Sequence, residues 1–196
     1  MSDISPDGTS ERRAVLALAI GLGLGLPVAR RALAQSVDPR RERPQPGDRF
    51  VFAGGERKSQ PITLADLPAG GPPVTAYPIE PQARIVRDDS RLNQVLLVRL
   101  DPAGFNSDTL ARAADGVVGY SAVCTHTGCD AWEWQPRSTA VKCPCHFSEF
   151  DLSNSARVLN GPAPRRLPAL PLKIVDGMPV VASAFVSRPG FESGGG

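Results

Sequence analysis

The chain has 196 residues, of which 41% are hydrophobic, enough for one packed domain with attached segments. Its 19 glycines and 20 prolines take up much of the chain in turns and argue against long helices. The formal net charge is only +2, and no group of Lys or Arg is interleaved with aromatic residues, so we expect no nucleic-acid partner.

The first 34 residues have the three-part layout of an export signal. Arg12 and Arg13 precede an apolar stretch over residues 14–29, and the small-residue site 32–34 follows. The paired arginines are typical of a twin-arginine signal, which predicts a periplasmic location for the rest of the chain. The apolar stretch has 16 residues, fewer than the roughly 20 that a spanning helix needs. An uncleaved N-terminus that contacts the inner membrane is the alternative.

Composition then divides the remaining chain. Residues 35–47 are polar and rich in proline, which predicts an extended linker. A globular domain is predicted over 48–190, followed by a disordered glycine-rich tail over 191–196. Short β-branched segments bounded by turn residues predict strands over 49–53, 74–79, 94–100 and 116–123.

Two further elements complete the predicted domain. Residues 107–114 are the one segment with a helical pattern. Residues 173–182 predict a β-hairpin, because Asp176 and Gly177 separate two apolar runs. Pro179 places the second arm at a sheet edge or at the start of a strand. Together these elements predict an antiparallel all-β domain.

All four cysteines and both histidines lie in two short segments, AVCTHTGCDAWEW over 122–134 and KCPCHF over 142–147. Zinc sites usually draw their four ligands from C-x2-C pairs, which neither segment contains. Attached haem needs C-x-x-C-H, one residue more than the second segment offers. A two-iron, two-sulfide cluster with two thiolates on one iron and two imidazoles on the other would leave two cysteines for a disulfide.

The patterns C-T-H-x-G-C and C-P-C-H-x-S resemble the high-potential Rieske iron–sulfur proteins. The resemblance implies a Rieske domain over 48–190, with one [2Fe-2S] cluster held by a small subdomain over about 116–164 at the tip of antiparallel sheets. It also implies which residues hold the cluster: Cys124 and Cys143 on one iron, His126 and His146 on the other, and Cys129 and Cys145 in a disulfide between the two loops. A zinc site of unusual spacing is the alternative.

The same resemblance implies residues that tune and cover the cluster. Ser148 matches the position whose hydroxyl donates to a bridging sulfide, and Phe150 stands where respiratory relatives carry a tyrosine that bonds a ligand sulfur. We therefore expect a reduction potential below that of the quinol-oxidising relatives. A loop that covers the cluster is implied for Gly161, Pro162, Ala163 and Pro164, with an ordinary rigid turn as the alternative.

Because both histidines are assigned to iron, none remains for a hydrolytic triad or for the iron centre of an oxygenase. We therefore predict an electron-transfer subunit whose catalysis lies in a redox partner. The export signal, CPCHFSEFD and Phe150 resemble the small subunit of arsenite oxidase, which favours a molybdenum-containing partner. The alternatives are the Rieske subunit of a cytochrome bc type quinol oxidase, with cytochrome b or c as partner, and a freestanding soluble carrier.

Overall fold

A computed structural model describes residues 38–191, and short antiparallel strands make up most of their regular structure. The predicted all-β class, with antiparallel sheets, is confirmed. The predicted export signal over 1–34, the start of the predicted linker and the predicted tail beyond Phe191 lie outside the described residues.

The larger sheet contains all four strands that the sequence predicted. Its strands are β1 (Arg49–Phe52), β2 (Val74–Glu80), β3 (Ile85–Val86), β4 (Val95–Arg99) and β5 (Val117–Ser121). They lie in the order β1-β2-β4-β5, with β3 paired to β2, and every pairing is antiparallel. The end of β5 leads directly into the first cysteine segment.

A smaller antiparallel sheet carries the second cysteine segment. Its strands are β6 (Glu133–Gln135), β7 (Ala140–Lys142), β8 (Glu149–Asp151) and β9 (Arg157–Asn160), in that order. Each has only three or four residues, too few for the alternating pattern that identifies a strand from sequence. None of these four strands was predicted.

The predicted hairpin is present as β10 (Leu172–Val175) and β11 (Met178–Val181). Asp176 and Gly177 both have positive φ, 52° and 70°, as a type I′ turn requires. Pro179 lies in the second strand of this two-stranded sheet, a position that tolerates a missing N–H.

The predicted helix over 107–114 is shorter than expected. The α-helix α1 spans Ser107–Leu110, and its cap is Asn106, whose side chain accepts from the Thr109 N–H at 2.8 Å. Ala111 and Ala113 still donate helix-type bonds to the Ser107 and Thr109 carbonyls, and the chain then turns into β5, where Ala114 and Val117 exchange backbone hydrogen bonds. Within residues 38–191 no helix has the length and apolar character needed to cross a membrane.

Strand β4 separates two hydrophobic clusters. Its side chains alternate between the faces of the sheet, so Leu96 and Val98 enter the cluster that also contains the smaller sheet and both cysteine loops. Val95 and Leu97 enter the cluster formed with β1 and the β10–β11 hairpin. Burial on both faces explains why β4 is a continuous apolar run rather than an alternating one.

The described part of the proline-rich segment, residues 38–47, is held against the domain, in contrast to the extended linker that its composition predicted. Arg40 pairs with Asp88 at 2.7 Å. Arg87 pairs with Glu42 at 2.8 Å and with Asp48 at 2.7 Å, and the side chains of Arg87 and Asp48 are only 4% and 2% exposed. These long-range ion pairs could not be read from the order of residues in the segment.

Candidate metal centre

The first cysteine segment forms a tight loop after β5. The Cys124 N–H donates to the Cys129 carbonyl at 2.7 Å, and the Gly128 N–H donates to the Cys124 carbonyl at 3.1 Å. Gly128 has a φ of 83°, a conformation that glycine adopts without the penalty of a Cβ. The loop therefore turns back within six residues, 124–129, and presents Cys124 and His126 at the end of the larger sheet.

The second cysteine segment forms a matching loop between β7 and β8. The Cys143 N–H donates to the Ser148 carbonyl at 2.8 Å, and the Phe147 N–H donates to the Cys143 carbonyl at 2.9 Å. Phe147 has a φ of 61°, which is uncommon for a residue with a Cβ. The turn holds Cys143 in the interior and leaves His146 exposed.

Cys124 and Cys143 are buried thiols, only 1% and 2% exposed, and neither takes part in a disulfide. Burial raises the pKa of the Cys124 thiol to about 11, and the nearby Cys143 adds to the increase. Hydrogen bonds from the His126 backbone and the Ser148 side chain act in the opposite direction. Metal binding must therefore displace the proton of the Cys124 thiol, since thiolates are the ligating form.

The two histidines converge on the same space. His126 Nδ1 and His146 Nδ1 are 3.2 Å apart, and the rings meet edge to face at an interplanar angle of 88°. Two imidazole nitrogens bound at about 2.0–2.1 Å to one tetrahedral ion lie about 3.3 Å apart. The observed spacing thus suits two ligands of a single metal ion, and it leaves Nε2 of each ring available to solvent or to a partner.

Cys129 and Cys145 form a disulfide that joins the two loops, as the resemblance implied. Cys143 Sγ lies within 4.8 Å of both of its sulfurs, so the bond stands directly beside the candidate ligands. In the chain-entropy model a cross-link that closes a loop of this size contributes roughly 3 kcal/mol. It stabilises the ligand loops at the tip of the domain.

The loop over 161–164, for which the resemblance implied a role in covering the cluster, packs onto the second cysteine loop. Ser148 is completely buried, and its hydroxyl accepts from the Ala163 N–H at 3.1 Å. Gly161 has a φ of 88°, and a Cβ there would lie 2.5 Å from Ser148 Cα. The loop over 161–164 therefore fits against the backbone of the ligand loop, and Ser148 links the two.

A [2Fe-2S] cluster with mixed ligation needs two thiols on one side and two imidazoles on the other. The side chains that supply this donor set are Cys124, Cys143, His126 and His146. The structure brings the two thiols into contact with each other and the two imidazoles into contact with each other, with one of each supplied by each loop. The residues therefore fit the group, and the assignment of each ligand to an iron remains a prediction.

Sequence reasoning missed three residues around this site. Thr125 Oγ1 donates to the Arg165 carbonyl, the Arg165 guanidinium holds the C-terminal segment, and Phe191 packs on Gly128. The available signal was an aromatic side chain at the start of the glycine-rich segment over 191–196, whose composition predicts a disordered tail.

An antiparallel β domain whose two tip loops each supply one thiol and one imidazole defines an iron–sulfur electron-transfer protein. The chain belongs to the Rieske [2Fe-2S] domain family, whose model matches residues 66–171. It therefore holds one [2Fe-2S] cluster and serves in Rieske iron–sulfur electron transfer.

Relatives of this chain include cytochrome bc1 complex Rieske iron-sulfur subunits. The subunit of Streptomyces lividans is 37% identical over 83 residues, 42% of this chain and 49% of the relative. That of Corynebacterium diphtheriae is 32% identical over 104 residues, 50% of this chain and 26% of the relative. The chain thus spans about half the length of the first relative and about a quarter of the length of the second.

A solved structure with a similar chain trace is the ferredoxin of carbazole 1,9a-dioxygenase from Nocardioides aromaticivorans IC177. It is 20% identical, covers 62% of this chain and 93% of its own, and gives a TM-score of 0.42.

Phe150 provides a test of how the site is tuned. It is fully buried on β8 opposite Val141 of β7, in the same hydrophobic cluster as Cys124 and Cys143. A tyrosine hydroxyl that donates a hydrogen bond to a ligand sulfur stabilises the reduced cluster, which is the more negative one. Phe150→Tyr is therefore expected to raise the midpoint potential measured by voltammetry. An unchanged or lowered midpoint in a variant with wild-type unfolding behaviour would contradict this tuning argument.

Proposed function

We propose that this protein is the Rieske subunit of a cytochrome bc type quinol-oxidising complex, and that it delivers electrons to a c-type cytochrome. The cytochrome bc1 complex Rieske iron-sulfur subunits among its relatives support this assignment over the arsenite oxidase-type subunit that the sequence analysis favoured. The proposal includes export by the predicted twin-arginine signal over 1–34 and action on the periplasmic side of the inner membrane.

The observation that carries the proposal is the exposed edge of the two histidines. His146 is exposed and His126 is partly exposed, whereas the thiols behind them are buried. The bound cluster would supply one-electron acceptance, and an outer imidazole nitrogen can accept the hydroxyl proton of a quinol. Electron and proton would thus leave the quinol at the same exposed surface.

An apolar side chain lies next to this edge. Phe147 follows His146 and is 59% exposed, and Lys142 Nζ stands 4.9 Å from the centre of its ring. Exposed aromatic residues at interfaces often contribute more than 1 kcal/mol to association. We assign Phe147 to contact with the membrane-bound partner.

Purification of the tagged full chain from native membranes tests the proposal. We expect b-type haem and a c-type cytochrome to copurify, together with quinol–cytochrome c reductase activity. Copurifying molybdenum would replace the proposal with an arsenite oxidase-type assignment, and a protein isolated alone as a monomer would support a freestanding carrier.

A pair of variants tests the role of the tip. Phe147→Ala is expected to weaken association with the complex by about tenfold while leaving the EPR spectrum of the reduced protein unchanged. Val175→Ala is the control, since Val175 is also an exposed apolar residue, 36% exposed, but lies on the β10–β11 hairpin. If both variants stay in the complex equally well, Phe147 is not part of the interface.

A further inference from the structure

The end of the described chain lies directly against the first cysteine loop. A Cβ on Gly128 would lie 2.9 Å from Cδ1 of Phe191, so the phenylalanine ring covers this glycine. The preceding Gly190 packs against Leu92, because a Cβ on Gly190 would lie 2.6 Å from Leu92 Cδ2. The C-terminal segment, residues 188–191, is therefore part of the wall around the ligand loop.

Arg165 joins this C-terminal segment to the same loop. Its Nη2 donates to the Arg188 carbonyl at 2.9 Å and to the Gly190 carbonyl at 2.7 Å. Its own carbonyl accepts from Thr125 Oγ1 at 2.5 Å. Thr125 is the residue between Cys124 and His126, and it is buried. One arginine thus fastens the C-terminal segment and the ligand loop to each other.

The loop is also held from a second direction. Arg91 Nη2 donates to the Gly128 carbonyl at 3.2 Å and forms an ion pair with Asp130 at 2.7 Å. Gly128 therefore has a guanidinium on its carbonyl and the Phe191 ring over its Cα. The loop position follows from contacts made by residues distant in sequence from both cysteine segments.

We propose that Arg165 and Phe191 are positioning residues, which fix the first ligand loop through the C-terminal segment and thereby set the reduction potential of the cluster. The proposal rests on membership of the Rieske family and is independent of which complex the protein joins. Neither residue ligates iron. The Arg165 guanidinium holds the C-terminal segment and Phe191 contacts Gly128, so both side chains act on the loop through Gly128, whereas the bond from Thr125 goes to the main-chain carbonyl of Arg165.

The direction of the effect follows from charge. A [2Fe-2S] cluster with two thiolates and two neutral imidazoles is uncharged when oxidised and carries one negative charge when reduced. Water stabilises the charged form more than the neutral form. The Phe191 ring is 46% exposed, but its Cδ1 and Cε1 edge lies over Gly128. Removing that edge admits more water to the loop, which favours the reduced state and raises the midpoint potential.

Phe191→Ala in the full-length protein tests the aromatic contact. We expect a higher midpoint potential by voltammetry and about tenfold faster hydrogen exchange of the Cys124 and Gly128 amides, in the metal-free as well as the loaded protein. Phe191→Leu, which keeps apolar cover, is expected to restore both values. Val186→Ala, at another exposed apolar residue near the C-terminus, is expected to change neither.

Arg165→Ala tests the guanidinium contact, with its exposed neighbour Arg166→Ala as the matched control. Because both changes remove one positive charge, a difference in amide exchange between them reports the lost carbonyl bonds. We expect faster exchange of the Cys124 and Gly128 amides only in Arg165→Ala. If that variant does not fold, Phe191→Ala and Phe191→Leu still test the proposal.

Two results would overturn the proposal. The first is wild-type amide exchange and midpoint potential in Phe191→Ala. The second is an equal change in Val186→Ala, which would mean that any apolar truncation near the C-terminus loosens the domain and that Phe191 has no specific role.

Discussion

Cys143→Ser is expected to yield a protein without the [2Fe-2S] cluster. Cys143 is 2% exposed, so a thiol from solvent cannot take its place, and the two sulfurs beside it are held in the disulfide. A serine hydroxyl at this position would remain protonated and bind iron poorly. The same loss is expected for Cys124→Ser. Iron content and the EPR spectrum of the reduced protein measure the result, since mixed sulfur and nitrogen ligation gives a low average g value.

The disulfide provides the matched control, because it consists of the other two cysteines of the same two loops. The double variant Cys129→Ser, Cys145→Ser is expected to assemble the cluster with an unchanged EPR spectrum and then to lose it faster on warming. An intact cluster in Cys143→Ser, or stoichiometric zinc in the wild-type protein, would show that the ligand assignment is wrong.

Gly161→Ala is expected to destabilise the site strongly. The added Cβ would lie 2.5 Å from Ser148 Cα and 2.7 Å from Ser148 N, backbone atoms that cannot rotate away as a flexible side chain would. Its φ of 88° adds strain for any residue with a Cβ. Overpacking and backbone strain together are expected to lower the free energy of unfolding by about 2–4 kcal/mol, measured by denaturant titration.

Gly177→Ala separates the two causes. Gly177 has a φ of 70°, but no atom lies within 4 Å of the position of its Cβ. This variant therefore carries the backbone strain alone and is expected to lose only about 1 kcal/mol. Equal losses in the two variants would mean that contact between the covering loop and the ligand loop contributes nothing.

The parts of the site that were predictable from sequence are those whose chemistry restricts residue type. Thiols and imidazoles are rare in this chain, and their order and spacing, together with the Thr, Gly, Pro and Ser of the same patterns, carried the resemblance that located the ligand loops and the disulfide. The hairpin was predictable for a similar reason. Few residue types suit two consecutive positive φ angles, and Asp176 followed by Gly177 is one of the favoured pairs.

The parts that were missed depend on contacts between distant segments. Strands β6 to β9 are stabilised by pairing with each other rather than by local propensity, and β9 is largely exposed. The Arg165 guanidinium bonds carbonyl groups of the C-terminal segment that lie 23 and 25 residues away. A carbonyl acceptor has no residue-type signature, so such a bond leaves no pattern in the sequence.

Strand β4 lies between the two hydrophobic clusters of the domain and contributes side chains to both. Leu96 and Val98 line the compartment of the cysteine loops, and Val95 and Leu97 line the compartment behind it. Water cannot enter one compartment by displacing this strand without wetting the other as well. We therefore expect a disturbance at the cysteine loops to weaken packing as far away as the β10–β11 hairpin, and the two compartments to unfold in a single thermal transition.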